Sequence, residues 1–203
     1  MRHVLAIAAG TGLVALLGGT LALTLWPIGS PPCATGALGG GAIGGPFTLV
    51  DETGTTVTEA EVIDRPTLIY FGYTFCPDVC PIDNARNAAA VDILAERGHD
   101  VKPVFITVDP ARDSVAVVSD YTENFHPDLL GLTGSAEQVA AAARAYRVVY
   151  ALGDEDPEFY LVSHSVFTYY MTPEDGFVGF FGREDPPEAV ADAVACHLDQ
   201  RAV

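Results

Sequence analysis

The chain has 203 residues, 49% of them hydrophobic, and a formal net charge of −17. With the N-terminus set aside, this suits one domain of about 150–165 residues with a full core. The acidity excludes nucleic acid as a natural partner, since phosphate binding needs basic patches; it fits solubility alone or an acidic face that meets a cationic partner or metal source.

After Met1, Arg2 and His3 comes an uncharged run from Val4 to Trp26. At about 1.5 Å per residue it can cross a hydrocarbon layer of about 30 Å. Residues 1–26 are therefore predicted to be an uncleaved membrane anchor. A secretory signal peptide has a shorter apolar region, about 7–15 residues, and a small-residue cleavage site that is missing before Trp26 and Pro27. Arg2 on the short side puts the rest of the chain outside the cytoplasm. The expected address is the bacterial inner membrane with the domain in the periplasm; the mitochondrial inner membrane is the alternative. Residues 27–46 follow as a linker, and the glycines of Gly36–Pro46 read as a flexible tether. Cys33, in GSPPC, lacks the small aliphatic flank of a lipoprotein cysteine and reads as a free thiol.

Residues 47–203 are predicted to form the domain. Two short runs around Glu52, Thr53 and Gly54 suggest a hairpin. Thr67–Tyr73 is a β-branched and aromatic run, hence a buried strand, and leads into CPDVC. From Ile82 an apolar stripe (Ile82, Ala85, Ala89, Ile93) predicts a helix that Gly98 ends. Val101–Asp109 is a second buried strand, PARDS a loop, and Val118, Tyr121 and Phe125 a helical stripe. Strand, helix, strand implies a parallel pair with a crossover. LLGLTG is a short strand. Ser135 and Gln138 form a capping box before the stripe Val139, Ala142, Ala143, Tyr146. YRVVYAL, EFYLVSHS, VFTYYMT and GFVGFFG read as strands, with Pro173–Gly176 as a turn, and Asp185, Pro186 and Glu188 open a last helix that runs to about Gln200. The expected fold class is α/β, a central mixed sheet flanked by helices.

The chemistry centres on Cys76 and Cys80. Four residues apart where a strand gives way to a helix, both sulfurs can project on one face near the positive helix terminus, where thiolate is favoured over thiol. A structural disulfide between them would strain the helix start. Cys196, beside Ala193 in the last helix, reads as a buried inert thiol. Zinc-finger and iron-sulfur readings lack the further ligands they need. Of the five histidines, His3 is in the anchor, His99 and His126 read as solvated loop residues, and His197 as partly outward on the last helix. His164 interrupts the apolar stretch YLVSHSVFTYY, as a core histidine does. Loops at the carboxyl ends of parallel strands converge near helix N-termini, so it can also meet the thiols if the fold brings it there.

FGYTFCPDVCP, FITVDPARDS, GLTG and VSHS, in this order behind an N-terminal apolar segment, resemble the SCO/SenC family of copper-binding assembly proteins for cytochrome c oxidase. The resemblance covers about Pro46 to Gly182. It implies a thioredoxin-like fold and, by position, a copper site made of Cys76, Cys80 and His164. It also implies partners: the oxidase subunit that carries the binuclear copper site, a periplasmic thioredoxin-like reductase and a copper donor chaperone. Ser163 departs from the aspartate the family commonly has before the histidine, and the acidic turn MTPEDG differs from its short hairpin. Two soft thiolates and an imidazole suit copper(I) and, with a weak extra ligand, copper(II). Asp78, Asp109, Arg112 and Asp113 are candidates for the rim of the site, against helix capping and a local ion pair as their plain alternative. The implied function is a copper metallochaperone. The alternative is a thiol-disulfide oxidoreductase that uses Cys76 and Cys80 as its redox pair and reduces the oxidase cysteines. A peroxidase of similar fold leaves the pairing of Cys76 with Cys80 unexplained.

Overall fold

The computed structural model describes Cys33, residues 43–153 and residues 159–201. The predicted anchor lies outside the described residues, as does most of the linker. Among the described residues no helix is long and apolar enough to cross a membrane.

Two fully buried strands set the frame: β3 (Thr67–Gly72) and β4 (Lys102–Thr107). They run parallel, Thr67 opposite Lys102 through Gly72 opposite Thr107. A run of six residues buried on both faces requires a cover on each side, which is why these strands lack polar alternation. β1 (Thr48–Asp51) and β2 (Thr56–Thr58) make the expected hairpin. β5 (Leu130–Thr133), β8 (Thr168–Thr172) and β9 (Gly176–Phe181) complete a seven-stranded sheet in the order β2-β1-β5-β4-β3-β8-β9. The β3-β4-β5 pairs are parallel and the flanking pairs antiparallel, so the sheet is mixed, as expected.

Helix α1 (Glu59–Val62) is one turn. α2 (Val79–Glu96) and α5 (Pro187–Arg201) pack together over Leu68 and Tyr170. α3 (Val115–Thr122) lies beside α2, with Tyr121 against Phe105 at 5.0 Å. On the opposite face α4 (Ala136–Ala145) buries Val139, Ala142 and Ala143, and Tyr146 just beyond it meets the Phe71 ring at 5.3 Å. The Ser135 and Gln138 capping box forms as its sequence predicts.

Three expectations need correction. The apolar stripe of α2 does not face the core: Ile82 is 56% exposed, while Asp83, Asn84, Arg86 and Asn87 are buried. Much of that polar face is paired, although Asp83 Oδ2 and Asn84 Oδ1 have no hydrogen-bond partner. Arg86 and Asn87 both donate to the Thr168 hydroxyl, at 2.7 and 3.0 Å, Arg86 also donates to the Gly182 carbonyl, and Asn84 donates to the Tyr121 hydroxyl at 3.1 Å. Next, YRVVYAL and EFYLVSHS contribute only β6 (Tyr150–Leu152) and β7 (Val162–His164), which pair with each other as a separate two-stranded sheet. Arg147 at φ 55° breaks the first run before a longer strand can form.

Finally, Cys33 and Cys196 are not free thiols: they are joined in a disulfide with their Cα atoms 5.7 Å apart. Both cysteines look unremarkable in the sequence because 163 positions separate them. Ile43 is buried, so Cys33 and Ile43 are each held against the domain. Closing so long a loop restricts the unfolded chain strongly. Replacing both Cys33 and Cys196 with Ser is expected to cost about 2–5 kcal/mol of stability. Thermal unfolding of the oxidised chain checks this, and an unchanged midpoint would mean the crosslink constrains nothing that matters.

Candidate metal centre

The thiols stand where β3 ends and α2 begins. Cys76 sits in the intervening loop and Cys80 is the second residue of the helix. Asp78 holds the N-cap position, yet its side chain makes no cap bond. The Cys76 sulfur takes that part instead and accepts the Cys80 backbone N–H at 3.3 Å. A helix start offers unpaired N–H groups and a partial positive charge, both of which favour an anionic sulfur. Cys76 is accordingly pulled down to about 3, by its hydrogen bond with Cys80 first and further by His164 and the backbone of Asp78 and Cys80, against the opposing effect of burial. Cys80 is pushed well up, first by the Cys76 sulfur and then by its own burial. One sulfur is thus the thiolate and the other keeps its proton.

Cys80 is fully buried and lies against Gly72, the last residue of β3. A Cβ on Gly72 would stand 3.0 Å from the Cys80 sulfur and 2.9 Å from the Tyr70 ring, so a side chain there would force the ring or the sulfur to shift.

His164, at the end of β7, closes the group. Its Nδ1 donates to the Ser165 carbonyl at 2.8 Å, which leaves Nε2 as the acceptor, 3.3 Å from the Cys80 sulfur. The rings of Tyr70 and Tyr73 meet the imidazole edge-on, with centroids at 6.2 and 5.8 Å. The two sulfurs and the imidazole nitrogen lie within 4.8 Å of one another. Among the described residues this is the one group of three or more His, Cys, Asp or Glu side chains so arranged. It opens into a shallow cleft of about 350 Å³ lined by Tyr73, Pro77, Val79, Leu161 and Val166 as well as by Cys76 and His164.

The other candidates behave differently. Asp78 is exposed on the cleft rim. Asp109 and Asp113 are buried behind the site and do not line it. The local ion pair expected there is real, since Arg112 Nε meets Asp109 Oδ2 at 2.5 Å. His99, His126 and His197 each pair with a carboxylate elsewhere, at 3.4, 3.3 and 3.5 Å, and are less exposed than solvated loop residues. Sequence reasoning overlooked Gly72 and the two tyrosines around the imidazole. The signal for Gly72 was its place directly before the thiol loop at the end of a buried strand.

Comparison with known proteins agrees with this geometry. The family model described as SCO1/SenC matches residues 35–199. The chain belongs to the SCO1/SenC family. It is 51% identical over 198 residues to Protein SenC of Rhodobacter capsulatus, covering 96% of this chain and 90% of SenC. It spans about half, 49%, of the Arabidopsis thaliana mitochondrial SCO1 homolog 1, at 46% identity over 80% of this chain. Among solved structures, Arabidopsis ScoI with copper bound aligns with a TM-score of 0.74 at 46% identity, covering 78% of this chain and 99% of that one. Bradyrhizobium japonicum ScoI with copper bound aligns at 0.70 and 35% identity, covering 76% and 99%. The SCO1/SenC assignment carries with it the thioredoxin-like α/β architecture expected from the sequence.

The electrostatics of this SCO1/SenC thiol pair have a direct readout. Alkylation of Cys76 by iodoacetamide in the reduced chain is expected to be flat from about pH 5 to pH 8, because its thiolate is fully formed there. An ordinary thiol of pKa about 8.5 slows roughly tenfold per unit as the pH falls. A Cys76 rate that tracks the proton concentration across that window would refute a thiolate held by the helix start.

Proposed function

We propose that Cys76, Cys80 and His164 bind copper, and that the chain is a metallochaperone that hands the ion to the binuclear copper centre of cytochrome c oxidase. The observation that carries this reading is the convergence of two sulfurs and an acceptor imidazole nitrogen within 4.8 Å at the floor of an open cleft. The chain belongs to a family with relatives solved with copper bound. The donor set fits the ion: thiolates are soft ligands that suit copper(I), and an imidazole extends the site to copper(II). Cys76 is already ionised, whereas Cys80 must release its proton as copper binds. Transfer is ligand exchange: thiolates of the acceptor reach the cleft, displace Cys76, Cys80 and His164 from the ion in turn, and Cys80 takes back a proton.

The rest of the reading follows from compartment. Residues 1–26 anchor the chain in a bacterial inner membrane, residues 27–46 link, and residues 47–203 form the copper domain in the periplasm. The Cys33–Cys196 disulfide supports an oxidising address. In such a place Cys76 and Cys80 need an electron source before they can bind copper(I), so a thioredoxin-like reductase joins the oxidase subunit and a copper donor as partners. A second reading also has an observation behind it. A thiolate at Cys76 that lines the cleft, above the fully buried thiol of Cys80, is the arrangement of an attacking and a resolving cysteine, which favours a thiol-disulfide reductase acting on the oxidase cysteines.

Anaerobic titration of the reduced full chain with copper(I), against a competing chelator, separates the two. One equivalent bound tightly and lost on oxidation of Cys76 and Cys80 is expected. Cys76→Ala or Cys80→Ala should abolish tight binding, and His164→Ala should weaken copper(II) more than copper(I). Full affinity in either cysteine variant would sink the site, and rapid reduction of a model disulfide without copper binding would favour the reductase.

A further inference from the structure

β6 and β7 share no ladder with the seven-stranded sheet, so the strand that carries His164 is not held at the thiols by sheet hydrogen bonds. The loop between β4 and α3 bridges that gap with three side chains. Arg112 Nε pairs with Asp109 Oδ2 at 2.5 Å, and Nη1 donates to the Tyr160 carbonyl at 2.9 Å. The Tyr160 hydroxyl returns to Asp109 Oδ1 at 2.7 Å, which closes the ring. The guanidinium carbon lies 3.7 Å from the Tyr160 ring centroid and 4.9 Å from that of Phe75. Asp113, from the same loop, accepts the Thr74 backbone N–H at 3.0 Å and its hydroxyl at 2.6 Å. Thr74 and Phe75 lead into Cys76, and Tyr160 leads into β7 and His164. The pair is shielded, with 1% of the Asp109 side chain and 19% of the Arg112 side chain exposed, so water competes weakly for it.

We propose that Arg112, anchored by Asp109, is the positioning residue that keeps His164 facing Cys76 and Cys80 before any ion arrives. This deepens the copper reading above and rests on it. A third ligand already in place spares the ion the cost of ordering a separate hairpin, and the planar fork that stacks on Tyr160 while bonding its carbonyl is a role lysine cannot fill.

The test compares the full chain with Arg112→Gln, Arg112→Lys, His164→Ala and the Arg112→Gln/His164→Ala double variant. Arg112→Gln is expected to weaken copper(II) by about 10- to 100-fold and to lose the imidazole nitrogen coupling from its electron paramagnetic resonance spectrum. Copper(I) affinity falls by no more than it does in His164→Ala, Arg112→Lys behaves like Arg112→Gln, and the loss disappears when His164 is already Ala. A residue that merely supports the fold would weaken both oxidation states equally, and its effect would persist without His164; either result overturns the proposal, as does an unchanged copper(II) spectrum. A metal-free measurement stands apart from the copper reading. Amide exchange at Val162 and Ser163 in the reduced apo chain should speed up in Arg112→Gln while α2 keeps its protection, and equal protection of β7 overturns the clamp even if no copper binds. Should Arg112→Gln fail to fold, Tyr160→Phe removes only the hydroxyl bond to Asp109 and is expected to show the same pattern at smaller amplitude; its absence there counts against the clamp.

Discussion

The first turn of α2 has backbone N–H groups with no helical partner, and what meets the one on Cys80 is a sulfur atom, at 3.3 Å. An oxygen cap at that place would have given an ordinary helix start. With sulfur there, Cys76 is ionised, its charge keeps the neighbouring Cys80 protonated, and the neutral thiol can be buried against Gly72 at little cost. Burial of Cys80 in turn requires a strand end with no side chain in the way, which Gly72 supplies. The pair is therefore asymmetric by construction: one sulfur faces the cleft charged, the other waits beneath it with a proton.

The third member of the group, His164, comes from a different part of the molecule. Cys80 is placed by α2, and Cys76 by the short loop that joins β3 to it. His164 belongs to a two-stranded hairpin outside the main sheet, and backbone pairing does not fix its distance from the thiols. Aromatic edges from Tyr70 and Tyr73 and the buried Asp109, Arg112 and Tyr160 ring stand in for that missing pairing. A hairpin held by side chains rather than by a ladder yields more readily than a sheet strand.

The parts of the structure legible in the sequence are those in which one local rule is sufficient. β3 and β4 announce themselves as unbroken apolar runs, and Ser135 with Gln138 marks the start of α4 by capping chemistry alone. Helix α2 was legible as a helix but not as to its face, because its buried side carries Asp83, Asn84, Arg86 and Asn87, whose partners Thr168, Gly182 and Tyr121 lie far along the chain. The two thiols could be read from spacing, while His164 needed the family resemblance to distinguish it from a core histidine. Cys33 and Cys196 could not be paired at all, since no local pattern encodes a contact across 163 positions.

That last pair poses a question of chemistry, because one domain holds one cysteine pair as a disulfide and another as free thiols. Their positions on helices supply the discrimination. Reduction of a disulfide is favoured when the protein stabilises the thiolate that results. Cys76 lies at the positive end of α2 and accepts a backbone N–H, so its reduced form is stabilised. Cys196 lies in the C-terminal half of α5, toward the negative end of the helix, with Asp192 and Asp199 four residues before and three residues after it on the same face. A thiolate there would meet the Gln200 side-chain amide, at 3.6 Å from the sulfur, but no backbone N–H of a helix start. The start of α2 thus stabilises a reduced Cys76 in a way that the end of α5 does not stabilise a reduced Cys196.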